Sequence, residues 1–239
     1  MKTTLMLLPG LNCDAAVWAP QVAALQEQAN CVIPAWGLRD SLTAMAQQVL
    51  AEAPTERFCV AGHSMGGRVA LEVMRLAPQR VERLALLSTG THPLAAGEAG
   101  EKEAAGRMAL LKIAQEQGMR AMAQEWARGM VHPDRLGSPL FAQVLDMFER
   151  GSAAQYAAQI QALLSRPDAT PQLGDIHCPT LVLTGRDDSW SGPAQHEVMA
   201  AAIPGAKLVL VPHCGHMCTL EQPQAVSAAL AAWLQRPVA

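Results

Sequence analysis

The chain has 239 residues, half of them hydrophobic and 16% charged, with a formal net charge of −3. That length suits one large domain, or a core with one insertion. A slightly acidic balance with no basic run argues against nucleic acid as a partner.

Residues 5–8, Leu-Met-Leu-Leu, are apolar but too short for a signal peptide or a membrane span, so a cytoplasmic protein with no membrane association is expected. Cys13, Cys31, Cys59, Cys178, Cys214 and Cys218 show no framework spacing and are expected as reduced thiols, Cys59 being the clearest buried one. Residues 4–8 read as the first strand, followed by a helical pattern over 14–28, a strand over 31–33 and a helix over 42–53. A β-prone run over 57–61 leads into Gly62-His63-Ser64-Met65-Gly66-Gly67, and helical spacing resumes over 65–77 until Pro78 closes it. Another strand is predicted over 83–87.

From 92 to 172 only helical runs occur, separated by Gly118, His132-Pro133, Gly137-Ser138-Pro139 and Gly151-Ser152. Strands at 180–184 and 207–211 then alternate with helices at 193–202 and 223–234. The alternation predicts an α/β fold: a mostly parallel sheet of about six strands, covered by helices on both faces. Segments 1–91 and 173–239 form the core, and 92–172 is a helical insertion placed to act as a lid. Its methionines (Met108, Met119, Met122, Met130 and Met147) are expected to pack, though flexible thioethers also suit a loosely specified apolar pocket.

A serine on so sharp a strand-to-helix turn points its hydroxyl out of the chain, and the helix N-terminus behind it favours negative charge. Activating it needs a base within hydrogen-bond reach and an acid to orient that base. Asp187 and Asp188 follow the strand at 180–184, and His213 and His216 follow the strand at 207–211. All lie where open α/β sheets gather their chemistry, beyond the carboxyl ends of the strands. His213, Cys214, His216 and Cys218 are spaced too tightly for a zinc site, and no metal is expected.

Serine, then aspartate, then histidine is the order of the α/β-hydrolase superfamily, which this chain resembles over essentially its whole length. Leu8-Pro9-Gly10-Leu11 is similar to the oxyanion segment of that superfamily, with proline where histidine is common. Cys214-Gly215-His216 and Leu220-Glu221-Gln222-Pro223 are similar to its histidine loop and final helix. The resemblance implies Ser64 as nucleophile, His216 as base and Asp188, three residues after Gly185, as acid, with Asp187 as the fallback. It also implies an oxyanion hole from the backbone N–H groups of Leu11 and Met65, and no cofactor.

The activity it implies is hydrolysis of a small-molecule carboxylic ester or lactone through an acyl-enzyme, by a monomer or homodimer. His63 before the serine resembles the esterase and lactonase branches; ring-cleavage C–C hydrolases commonly carry asparagine there and remain the alternative, beside a ligand receptor with little turnover. Residues 34–41 lack the Asp-x-x-Gly-x-Gly-x-Ser loop of many capped relatives, so the pocket wall is expected to be trimmed. Asn12, His63, Trp190 and Arg166 are the candidate substrate contacts. Arg107 and Arg128 are further arginines able to meet a carboxylate, although for all three arginines a solvated position is the default. Trp18, Trp36 and Trp126 are further candidate pocket walls, and Asp14 is read as a helix cap.

Overall fold

The computed structural model describes residues 2–238. Six strands, β1 (Thr3–Leu8), β2 (Ala29–Val32), β3 (Phe58–His63), β4 (Val81–Leu87), β5 (Thr180–Gly185) and β6 (Lys207–Val211), form one sheet. Its order is β2-β1-β3-β4-β5-β6, with every neighbouring pair parallel. The helices around it are α1 (Ala19–Leu25), α2 (Leu42–Glu52) and α3 (Met65–Leu76), with α8 (Pro193–Ala202), α9 (Cys218–Glu221) and α10 (Pro223–Leu234) after the insertion. Between β4 and β5 lie α4 (Glu98–Gln117), α5 (Met119–Trp126), α6 (Pro139–Glu149) and α7 (Ala153–Leu164).

The strands are apolar almost throughout because both faces are covered. Successive side chains alternate: Leu5, Leu7, Cys59, Ala61, Leu181 and Leu183 pack toward α1 and α10, while Met6, Leu8, Val60, Leu86 and Val182 pack toward α2 and α3. One expected helix is divided. Residues 15–18 form a 3-10 turn capped by Asp14, and the α-helix begins only at Ala19. Pro20 explains the break, since a residue without an N–H fits the first turn of a helix and not its interior.

Segment 92–172 is helical, and no strand occurs there among the described residues. Ser138 caps α6, and Ser152 with Gln155 forms a capping box at the start of α7. Met119, Met122, Met130 and Met147 are buried, whereas Met108 is exposed. Among the described residues no helix is long and apolar enough to cross a membrane.

β1 leads outward to β2, and the chain then returns to the other side of β1 as β3. The carboxyl ends of β1 and β3 therefore flank the point where strand order reverses, which is where such sheets open a crevice. There α3 crosses β1 so closely that a Cβ on Gly66 would overlap the Leu8 carbonyl. Gly66→Ala should therefore lower stability in urea denaturation by roughly 2 kcal/mol or more. Gly106→Ala, in α4 with no neighbour within 4 Å of its added methyl, should instead raise it by about 0.5–1 kcal/mol.

Candidate active site

Ser64 is the single residue between β3 and α3, and its backbone lies at φ 56°, ψ −118°. Such a conformation is costly for a residue with a side chain and persists only when the surroundings hold it. They do so on both sides. The Ser64 N–H donates to the Leu87 carbonyl (2.9 Å), and its carbonyl accepts from the Gly67 amide (3.0 Å) and the Thr89 hydroxyl (2.7 Å).

The Ser64 hydroxyl lies 2.8 Å from His216 Nε2. His216 Nδ1 lies 3.0 and 3.2 Å from the two carboxylate oxygens of Asp188. An ionised carboxylate only accepts, so Nδ1 carries the proton and Nε2 is left bare to accept from Ser64. Burial alone would raise the Asp188 carboxyl. The electrostatic pull of the His216 ring and its Nδ1–H hydrogen bond, with the amides of Ser191 and Trp190, outweigh that and hold the group well below the usual carboxylate range.

Asp187 and His213 are placed differently. Asp187 is exposed and accepts from the Cys214 amide (3.2 Å), closing the loop from outside. His213 is exposed on the turn before the histidine loop, at φ 49°. The cluster considered for zinc does not converge: His216 is engaged as described, and Cys214 and Cys218 are buried thiols pushed up by burial.

Leu11 and Met65 line the same cavity as Ser64. Met65 opens α3, so its N–H has no intrahelical acceptor. Trp36, buried rather than at the cavity, donates from Nε1 to the Pro9 carbonyl (3.1 Å) and braces the segment that presents Leu11.

The cavity has a volume of about 610 Å³ and joins the strand ends to the helical insertion. Trp190 is on its wall, 5.2 Å from the His216 ring and stacked at 5.7 Å on Trp126. Trp18 is fully buried beneath the sheet. Arg166 and Arg107 line the cavity and both bind Glu103, while Arg128 is exposed. The solvated default is thus replaced at Arg107 and Arg166, because Glu103 gives both guanidiniums an inward-facing partner.

The two other expected substrate contacts are placed differently from each other. Asn12 turns away from the cavity: its backbone N–H donates to Gln159 Oε1 (2.7 Å) and its Nδ2 to the Phe148 carbonyl (3.1 Å), tying the segment after β1 to the insertion. His63 belongs to the cavity lining but is fully buried, with Nε2 donating to the His216 carbonyl (2.8 Å).

Three features went unread in the sequence. Arg68 lines the cavity one turn after Ser64, a spacing that could have revealed it. The Met130 carbonyl accepts from the amides of both His216 (2.7 Å) and Met217 (3.1 Å). The buried Glu221 carboxylate accepts from His132 N–H (2.7 Å) and Gly215 N–H (3.1 Å), sewing the insertion to the histidine loop.

The model of the alpha/beta hydrolase family matches residues 5–229. The chain is 27% identical over 237 residues to the pimeloyl-[acyl-carrier protein] methyl ester esterase of Nitrosomonas europaea, covering 92% of this chain and 91% of that one. It is also 27% identical over 244 residues to a 2-hydroxy-6-oxononadienedioate/2-hydroxy-6-oxononatrienedioate hydrolase of Cupriavidus pinatubonensis, covering 93% and 83%. Among solved structures it is similar to a thermophilic esterase from Thermogutta terrifontis, with a TM-score of 0.86 at 25% identity over 98% of this chain and 91% of the other.

His63 gives the site a pH signature. Burial, then the adjacent His216, lowers its pKa from 6.5 to about 4, so the folded protein keeps it neutral where the unfolded chain takes up a proton. Its contribution is complete above pH 6.5 and is lost as pH falls toward 4, on the order of 3 kcal/mol in full. Urea midpoints measured from pH 7.5 to 4.5 should fall, and His63→Gln should flatten the curve. A smaller slope in the same direction should remain from buried His196, whose pKa is lowered by burial.

Proposed function

The chain belongs to the alpha/beta hydrolase family and is an enzyme, and we propose that it cleaves a small-molecule carboxylic ester or lactone through an acyl-enzyme on Ser64. The observation that carries this reading is the unbroken line Asp188–His216–Ser64, whose hydrogen bonds leave His216 Nε2 bare and facing the hydroxyl.

In the proposed reaction His216 Nε2 takes the Ser64 proton as the hydroxyl oxygen attacks the carbonyl carbon. The N–H groups of Leu11 and Met65 stabilise the oxyanion of the tetrahedral intermediate, each donor contributing about 3–4 kcal/mol in comparable sites. Asp188 stabilises the imidazolium and keeps the ring in the required tautomer. His216 then gives its proton to the leaving oxygen. It next takes one from water, which attacks the acyl-enzyme and frees the acid and Ser64. Helices α4–α7 cover the reaction as a lid, with Trp126 and Trp190 forming an apolar wall beside it.

The likeness to the Cupriavidus enzyme favours a second reading, hydrolysis of a carbon–carbon bond beside a carbonyl. Esters separate the two. A short activated ester should give a burst and a covalent mass adduct on Ser64 if the first reading holds, and neither outcome is required by the second. Ser64→Ala should lower kcat/KM for that ester by a factor on the order of 10⁴ or more with a thermal midpoint within a few degrees of the parent. Asp188→Asn, which inverts the tautomer logic, should cost about 10⁴ in kcat. Substantial ester cleavage by Ser64→Ala would sink the assignment.

A further inference from the structure

Arg68, Arg107 and Arg166 all line the cavity that holds Ser64 and His216, and Glu103 is the carboxylate set among them. Arg166 grips Glu103 with two parallel bonds, Nη1 to Oε1 and Nη2 to Oε2, each 2.8 Å. Arg107 adds Nε and Nη2 to Oε1 at 3.0 and 2.9 Å. Burial alone would raise this carboxyl, but the two guanidiniums hold it at about 2, so its charge is fully committed to them.

Arg68 has no carboxylate partner among the described residues. Its Nη1 gives one N–H to the His92 carbonyl (2.8 Å), an acceptor it shares with Arg166 Nε. Burial, then the like charge of Arg166, pushes its guanidinium down to about 9. A single bond to a carbonyl needs only one N–H, whereas a guanidinium presents five donors in a rigid fork matched to oxyanions. With the exposed Lys102 also in the lining, four cations against one anion leave the cavity positive, and the least compensated of the three arginines is the one nearest Ser64 in sequence.

We propose that Arg68 is the centre of an anionic subsite that receives an ionised carboxylate carried by the substrate itself. This rests on the proposed ester or lactone chemistry at Ser64. Arg68 follows Ser64 by four residues on α3, roughly 6 Å along the helix, so the carboxylate lies only a few bonds from the scissile carbonyl. The substrate class is therefore a half-ester of a short dicarboxylic acid, or a lactone bearing a carboxylate. Leu110, Leu163 and Trp126 offer apolar surface to the carbon chain between the two ends. Arg107 and Arg166, already neutralised in part by Glu103, supply the surrounding positive field.

Binding tests this without turnover. Calorimetry on Ser64→Ala should show monomethyl succinate binding roughly tenfold or more tighter than neutral dimethyl succinate, a difference of about 1.4 kcal/mol or more. Adding Arg68→Gln should erase that preference, and Arg68→Lys should keep part of it. Circular dichroism confirms that each variant is folded. Should Arg68→Gln not fold, Glu103→Gln reads the same field with opposite sign: it should tighten the charged ester and leave the neutral one unmoved. Equal binding of the two esters to Ser64→Ala, or a preference that survives Arg68→Gln, overturns the subsite. Methyl phosphate binding more tightly than monomethyl succinate overturns the carboxylate assignment. Wild-type hydrolysis of both esters is scored separately. Turnover without charge preference would leave the hydrolase reading standing and sink the subsite; charge preference with no ester turnover would do the reverse.

Discussion

Everything at the site depends on a contact with no room for a side chain. α3 meets β1 where Gly66 lies against the Leu8 carbonyl, and Gly62 lies equally close to the Gly66 main chain. That approach lets the helix begin directly over the strand ends, with Ser64 held in a left-handed turn between them. It also brings Met65 and Leu11, from distant parts of the chain, into the lining of one cavity. The fold thus gathers the Ser64 hydroxyl and both of these residues at one tight crossing, the topological switch point of the sheet.

His216 is fixed from four directions, and only two of them concern the hydroxyl chemistry. Its ring is held by Asp188 and Ser64, and its main chain by the Met130 carbonyl on one side and His63 on the other. The Met130 bond crosses from the insertion, and Glu221 repeats the crossing at His132 and Gly215. Displacing the segment around residue 130 would therefore disturb the histidine directly. The aromatic run Phe148–Trp126–Trp190–His216 links the same two regions through side chains. The insertion and the position of His216 are mechanically joined.

The sheet, its flanking helices and the strand-end placement of Ser64, Asp188 and His216 were legible because they rest on local period and local turns. The division of the first helix at Pro20 was written in the sequence too, in a residue whose missing N–H limits where a helix can start. What could not be read was direction. Asn12 follows the oxyanion segment and has the chemistry of a substrate contact, yet its partners are Gln159 and the Phe148 carbonyl, more than a hundred residues away. Arg68 reads as an ordinary charged position on an amphipathic helix. Only the fold of segment 92–172 above it buries the guanidinium and brings Arg107, Arg166 and Glu103 to the same cavity.

The hydrogen bonds that join the insertion to the histidine loop use main-chain atoms on the insertion side: the Met130 carbonyl and the His132 amide. A Cβ on Gly215 would run into that same backbone, 2.8 Å from His132 N. Around those bonds the Met130 and Val131 side chains are buried in one cluster with Cys214 and Met217, and the His132 ring lies 6.0 Å from that of His213, so residues 130–132 are constrained in kind as well as in number. The pocket walls away from this line of contact can change in chemistry while the contact itself stays in register. Point substitution elsewhere in the cavity can alter what it admits, but a longer or shorter segment around residue 130 would have to reposition His216.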